Sequence, residues 1–531
     1  MAIDAATPQH ATMRLAPLLV ACLACAASAG DAVQLDGGDA RWLRRDRATP
    51  AAVVAIAGAG AGAVLQLTAD RGAGANLVPA AGDWSGHRYL TVDLDVDGVM
   101  PVALEAWWLD EAGRAVCVYP VVPAGRSTLS LDVVANAGDP PVERARIARF
   151  GFEQLWEQPG SVVVSRPRLT RVDERTPRPS AAEAIDRAYA PPPAFAEAGP
   201  QRSPLLFDDG TPVADAADWP RRRAEILAAW HAEMGAWPAP LEAPSITVLA
   251  QEDRDGIAFR RVRVDVAAER AVEGWLLVPP GAAASPAVLT VFYHPEGAIG
   301  ERGGPGTDYA RQLARRGIVA LSIGIRPLDV AKPESRAFYP RDVQPLSFLA
   351  YVASNCRRAL ARLPEVDPAR VGVMGHSYGG KWAMFASCLD DGFAAGAWSD
   401  HGIVFDEAVA DANYWEPWYL GQVPGDVQRP RGLLSPEHPR VGAYARLVDA
   451  GRDLHELHAL MAPRPFLVSG GAVDPPSRWR ALAHAIAVNR LLGAERRVAM
   501  TNRGPHATDA EAAAEIVEFF TRALGAATPA R

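Results

Sequence analysis

The stretch Arg370-Val371-Gly372-Val373-Met374-Gly375-His376-Ser377-Tyr378-Gly379-Gly380-Lys381-Trp382-Ala383-Met384-Phe385-Ala386 decides the reading of this chain. Its first part is a short apolar, β-branched run and its last part is helix-forming. Between them stands Gly375-His376-Ser377-Tyr378-Gly379, a G-x-S-x-G motif in a strand–turn–helix setting. That is the pattern of a nucleophile elbow. The turn is tight enough to strain the serine backbone. Glycines two residues before and after it let the neighbouring strand and helix approach. The Ser377 hydroxyl is then lifted clear of the sheet. An ordinary surface turn would also hold these residues, but it would not require partners further along the chain.

Such partners are present. In an α/β-hydrolase the order along the chain is serine, acid, histidine. His506 follows the last strand-like run in Met500-Thr501-Asn502-Arg503-Gly504-Pro505-His506. Its imidazole can take the serine proton and return it to a leaving alcohol. Two carboxylates compete to orient it. Asp474 follows the penultimate strand-like run, in Ser469-Gly470-Gly471-Ala472-Val473-Asp474. Asp400 follows the run after the elbow, in Ala397-Trp398-Ser399-Asp400-His401. The usual position favours Asp474, which leaves Asp400 as a second acid, a substrate ligand or a polar group at a strand end. For the oxyanion, one donor is the Tyr378 N–H. The other is expected from His294-Pro295-Glu296-Gly297. Pro295 has no N–H, so Glu296, Gly297 or a side chain must serve.

The strand–helix alternation extends well beyond the elbow. Asp218 to Trp237 patterns as an amphipathic helix, and strand-like runs follow at 245–250, 258–266 and 274–278. Runs at 287–293, 317–323, 371–374, 396–399, 465–469 and 496–501 then alternate with helical segments. This predicts a doubly wound, mostly parallel sheet with its site at the strand ends. Residues 30–175 differ. Tyr89 to Val96, Ser127 to Val133 and Ser161 to Ser165 alternate apolar and polar residues between Gly/Pro clusters, as in a β-sandwich. Trp84, Trp107, Trp108 and Trp156 suit its core better than a sugar-stacking face. The 176–204 stretch, with Thr176-Pro177-Arg178-Pro179 and Pro191-Pro192-Pro193, reads as an extended or irregular linker. The expected units are therefore 30–175, 176–204 and 205–527.

Composition narrows the function classes. With 531 residues, 49% hydrophobic and 22% charged, the chain is expected to be globular with two domains. A net charge of −8 without a basic run makes nucleic acid and anionic membranes poor partners. Met13-Arg14, the apolar Leu15 to Ala26 and Ala27-Ser28-Ala29 form an export signal, with Met13 as the expected start and cleavage after residue 29. This predicts a periplasmic or extracellular protein. Leu19-Val20-Ala21-Cys22 is a minor lipoprotein alternative. No later run is apolar enough to span a bilayer. Cys356 and Cys388 flank the elbow strand and are placed to form either a disulfide or two buried thiols. His455-Glu456-Leu457-His458 lacks H-E-x-x-H spacing, and no phosphate or dinucleotide loop occurs, so no metal or cofactor is expected.

With these residues in view, the second domain resembles carbohydrate esterase family 15, the glucuronoyl esterases. The likeness covers about residues 215–525. It is carried by Gly375-His376-Ser377-Tyr378-Gly379-Gly380-Lys381, by the run from Leu454 to Pro465, and by His506. It implies a secreted serine esterase acting on plant cell-wall carbohydrate esters, a polysaccharide or oligosaccharide ester being the partner. It also implies that Lys381 binds sugar hydroxyls; the bland reading is a helix-start residue. Asp400 and Asp474 match the two positions from which such enzymes take their acid. The family usually has arginine directly after the serine, where this chain has Tyr378. Acetyl xylan esterases and prolyl-oligopeptidase-like hydrolases are neighbouring readings, and a non-catalytic carbohydrate-binding protein is the rival from another class. Trp398 and Trp479 are candidates for the sugar pocket or the core. The aromatic insertion at 402–447 is a candidate lid or cleft wall. The first domain resembles the jelly-roll modules attached to polysaccharide-degrading enzymes.

Overall fold

The computed structural model describes residues 32–35, 42–44, 54–55, 65–67, 74–97, 101–155, 161–303, 306–325, 338–423 and 432–526. The expected export signal and Trp156 lie outside them.

Nine strands form the larger sheet. In spatial order they are Ile246–Arg254, Ile257–Ala267, Arg270–Val278, Val319–Gly324, Ser285–Phe292, Val366–His376, Ala395–Ser399, Phe466–Gly470 and Val498–Asn502. The first three are joined antiparallel and pair antiparallel to the fourth; the remaining pairs are parallel. The parallel strands read as near-continuous apolar runs because both faces are covered. On one face Leu289, Val291, Val371, Val373 and Trp398 pack under Trp230, Leu346 and Trp382 from three helices. On the other, Val288, Met374 and Ala397 pack under Leu313, Ile516 and Phe520. The helix expected at 218–237 spans Trp219–Met234 and stops at Gly235, whose φ is 88°.

At the crest of this sheet the chain turns from the strand Val366–His376 into the helix Tyr378–Leu389. Ser377 holds φ 54° and ψ −117° between them, a left-handed conformation that a side chain rarely takes. The glycines of the motif have a steric cause. A Cβ on Gly375 would meet the Gly379 carbonyl, and a Cβ on Gly379 would meet the Val291 carbonyl of the adjacent strand.

Upstream, two six-stranded antiparallel sheets share one core among the described residues. Leu90, Val92 and Leu94 come from one sheet; Trp108, Phe150 and Phe152 come from the other. Trp84 and Trp108 lie in that core, in keeping with the core reading, whereas Trp107 is buried on the other face of its strand, outside it. The 176–204 stretch is less irregular than its prolines suggest. It contains the helix Ala181–Arg187, opened by a capping box between Ser180 and Glu183. That helix seats Ile185 against one face of the larger sheet, and Asp186 pairs with Arg522 at 2.7 Å. Cys356 and Cys388 are buried free thiols, so the possible disulfide is not formed.

Gly379→Ala is expected to destabilise the protein by about 3 kcal/mol or more, since the obstructing atom is sheet backbone. Gly86→Ala, where a Cβ meets nothing within 4 Å, is the control. Thermal unfolding of both variants checks this, and equal midpoints would contradict the steric account.

Candidate active site

Ser377, His506 and Asp400 form a continuous hydrogen-bonded chain. The Ser377 hydroxyl lies 2.8 Å from His506 Nε2. His506 Nδ1 lies 2.8 Å from Asp400 Oδ2. The imidazole is one-third exposed, whereas the Asp400 side chain is fully buried. With a carboxylate on Nδ1, Nε2 is left free to accept the serine proton.

The acid beside the histidine is therefore Asp400, not Asp474. Asp400 ends the strand Ala395–Ser399 with φ 46°, a left-handed turn that aims its carboxylate across the strand ends. Its Oδ1 accepts the N–H of Asp474 at 2.8 Å and of Val473 at 3.1 Å. Asp474 is equally buried but points the other way. It accepts the N–H groups of His401 (3.0 Å), Gly402 (2.9 Å) and Ile403 (2.7 Å). Each carboxylate is thus held by the loop that carries the other. A sequence signal for this exists in Gly470-Gly471. A Cβ on Gly471 would sit 2.7 Å from Asp400 Oδ2, so the doublet clears the space that Asp400 fills.

Arg503 was not singled out by motif and holds the histidine loop in place. It is buried, and it donates to the Ser469 carbonyl (2.9 Å), the Ala507 carbonyl (2.8 Å) and the His506 carbonyl (2.9 Å). It also reaches Ser399 Oγ at 3.2 Å. His376 is the second residue that motif reading passed over. Its ring centroid is 5.0 Å from that of His506 and its Nδ1 meets Ser399 Oγ at 3.0 Å. Burial, then the nearby Arg503 guanidinium, push its pKa well below the usual histidine value, so this ring is neutral beside the site.

The oxyanion side is partly as expected. Tyr378 stands at the first helical position, where a backbone N–H has no intrahelical acceptor. Its ring stacks on Tyr293 with centroids 4.6 Å apart, and its hydroxyl donates to the Ile325 carbonyl at 2.9 Å. Tyr378 is thus a buried structural ring whose backbone alone faces the reaction. The Gly297 N–H is engaged inside its own loop, on the His294 carbonyl at 3.4 Å, which leaves Glu296 or a side chain among the expected donors. Beside the elbow, Phe292, His294, Gly297, Tyr309, Met374 and His376 bound a cavity of ≈ 220 Å³.

Three expected sugar contacts are buried elsewhere. Lys381 is 2% exposed and donates to the His401 carbonyl at 2.6 Å and the Asp411 carbonyl at 2.8 Å. Its ammonium also lies 4.8 Å from the Tyr414 ring centroid. Desolvation lowers its pKa to about 8. It ties the 402–447 insertion to the loop behind Asp400. Trp398 is a core residue, stacked on Phe466 at 4.5 Å and donating to Ser387 Oγ. Trp479 is also in the core, at the start of the helix Trp479–Leu491. Of the insertion's aromatic residues, Tyr414, Trp415, Trp418 and Tyr419 are buried, and Tyr414 and Tyr419 pack on Phe385 and Tyr378 of the helix that follows the elbow. Among the described residues no group of histidine, cysteine and acidic side chains could hold a metal, and no helix is long and apolar enough to cross a membrane.

No family model matches the chain, and no curated protein matches it. Solved structures do. A glucuronoyl esterase from Solibacter usitatus is similar with TM-score 0.51 and 21% identity, covering 62% of this chain and 99% of that one. The fold is that of an α/β-hydrolase. A CE15 glucuronoyl esterase from Teredinibacter turnerae (TM-score 0.47, 21% identity, 61% and 89% of the two chains) is also similar. So is one from Caldicellulosiruptor kristjansonii (0.45, 20%, 62% and 91%).

Asp400→Asn is expected to lower kcat by about 10⁴-fold, because the imidazole loses its orienting charge, and to cost less stability than Asp474→Asn, because Asn keeps one oxygen for the Val473 and Asp474 N–H groups. Asp474→Asn is expected to cost about 1–3 kcal/mol of stability, because three buried N–H groups share that carboxylate. Paired kinetics and denaturation separate the two roles. A large kcat loss confined to Asp474→Asn would reverse the assignment.

Proposed function

We propose that this protein is an exported serine esterase that hydrolyses a carboxylic ester on a plant cell-wall carbohydrate. The observation that carries the reading is the hydrogen-bonded chain from Ser377 through His506 to Asp400. The fold likeness to a glucuronoyl esterase and the export signal in the sequence support the substrate class and the location.

Ser377 Oγ attacks the ester carbonyl while His506 Nε2 takes its proton. Asp400 stabilises the imidazolium through Nδ1. The carbonyl oxygen gathers negative charge and is met by the Tyr378 N–H, with the Glu296 N–H as the loop's contribution. The tetrahedral intermediate collapses, the C–O bond to the alcohol breaks, and His506 returns the proton to the departing oxygen. A water molecule then attacks the acyl-enzyme by the same relay, releasing the acid and restoring Ser377. Asp400 is hydrogen-bonded by backbone N–H groups and by His506, and its charge also acts on the nearby Lys381 ammonium.

Benzyl glucuronate and acetylated xylan separate the two nearest substrate classes. Ser377→Ala is expected to reduce turnover by about 10⁶-fold on whichever ester the wild type cleaves. Release of glucuronate defines a glucuronoyl esterase, and release of acetate alone defines a deacetylase. No serine-dependent release from either ester, alongside cleavage of a peptide, would overturn the carbohydrate-ester reading.

A further inference from the structure

The loop that carries the catalytic histidine is held by two sets of contacts. Within the catalytic domain, Arg503 binds the His506 and Ala507 carbonyls, and the Pro505 carbonyl lies over Gly471, where a Cβ would sit 2.5 Å from it. The second set comes from the β-sandwich. A Cβ on Gly504 would sit 3.1 Å from the Tyr119 carbonyl oxygen, 3.4 Å from Ala103 Cβ and 3.5 Å from Tyr119 Cβ. Outside its chain neighbours, these three nearest atoms all belong to the sandwich. Gly504 is buried and stands two residues before His506, a chain span of at most about 7 Å.

The sandwich side of this contact is rigid. Ala103 lies on the strand Val102–Asp110, whose Val102, Leu104, Ala106 and Trp108 pack in the sandwich core. By alternation Ala103 faces outward, and it is nevertheless fully buried. The Leu104 N–H donates to the Pro120 carbonyl at 3.0 Å, which ties the Tyr119 segment to that strand. A backbone carbonyl and a methyl group have no rotamer through which to yield.

The sandwich is also fixed to the catalytic domain. The Thr176 N–H donates to the Thr128 carbonyl of the sandwich, and the Thr176 hydroxyl accepts the Thr128 N–H, each at 2.9 Å. Two residues on, Arg178 pairs at 3.3 Å with Glu511, on the helix Ala510–Ala523 that follows the histidine loop. Ile185 and Asp186 then dock on the catalytic domain. The connecting segment is thus pinned at both ends and is no flexible tether. His506 sits between hydrogen bonds of 2.8 Å to Ser377 and 2.8 Å to Asp400, so a shift of its loop strains one or both. We propose that the β-sandwich is a positioning part of the hydrolase: through Tyr119 and Ala103 it fixes Gly504, and through Gly504 the imidazole of His506. This rests on the Ser377–His506–Asp400 relay and not on the identity of the ester.

The test uses the full-length protein, with fluorophosphonate labelling of Ser377 as a readout that needs no known ester. Gly504→Ala adds a methyl against the sandwich, where the neighbours must give by a few tenths of an ångström. It is expected to lower the labelling rate and kcat about tenfold and to keep KM within about twofold, since a misplacement of that order acts on the chemical step. Ala103→Val presses on the same contact from the sandwich and is expected to give the same split. Ala103→Gly added to Gly504→Ala is expected to restore the labelling rate about threefold or more, because the two substitutions meet at one contact. Gly82→Ala is the control. Its Cβ would sit 3.0 Å from the Ile147 carbonyl inside the sandwich, so it is expected to lower the unfolding midpoint and leave labelling unchanged. Labelling at the wild-type rate in folded Gly504→Ala and Ala103→Val, or an equal loss in Gly82→Ala, overturns the inference while labelling of the wild type still upholds the relay. A wild type whose Ser377 is not labelled rejects the relay and the inference with it.

Discussion

A carboxylate buried away from water must be met by protein donors, and at the strand ends of this fold two carboxylates meet the requirement by exchange. Asp400 takes the N–H groups of the Asp474 loop, and Asp474 takes those of the Asp400 loop. Neither loop can move without stranding the charge on the other, at the cost attached to an unpaired buried ion. The clasp fixes the ends of two parallel strands and leaves one oxygen, Asp400 Oδ2, facing His506. Arg503 extends the same logic to the histidine loop by spending its donors on carbonyl and hydroxyl oxygens from three neighbouring segments. Lys381 secures the far side by holding the insertion to the His401 carbonyl.

The elbow was legible in the sequence because its constraint is local. Gly375 and Gly379 are required by backbone atoms a few residues away or on the next strand, and the strand and helix flanking them carry their own patterns. His506 was legible because it follows the last strand. The acid was not, since both Asp400 and Asp474 follow strands, are fully buried and are satisfied by backbone donors. What distinguishes them is direction, set by the left-handed turn at Asp400 and by the room above Gly471. The turn cannot be read from residue type, and the glycine at 471 shows room without showing which carboxylate fills it.

Burial accounts for the other departures. Lys381, Trp398 and Trp479 have side chains that suit a sugar pocket, yet each is covered by elements distant in sequence. Trp398 sits on a strand buried on both faces, and Lys381 is sealed by an insertion whose packing only the fold reveals. The helix Ala181–Arg187 was within reach, for Ser180 and Glu183 stand at capping-box spacing inside a stretch whose prolines suggested irregularity. The sandwich sheets followed from alternation, while the contact of Tyr119 with the histidine loop has no sequence signature.

The central claim is that Ser377 is a nucleophile activated by His506. Its most direct test is covalent labelling by a fluorophosphonate, followed by peptide mass spectrometry on the wild type and on His506→Ala. The account predicts one adduct, on Ser377, forming rapidly in the wild type and slowed by orders of magnitude when the imidazole is removed. An adduct on another residue, or labelling of Ser377 at the same rate in both proteins, would contradict it.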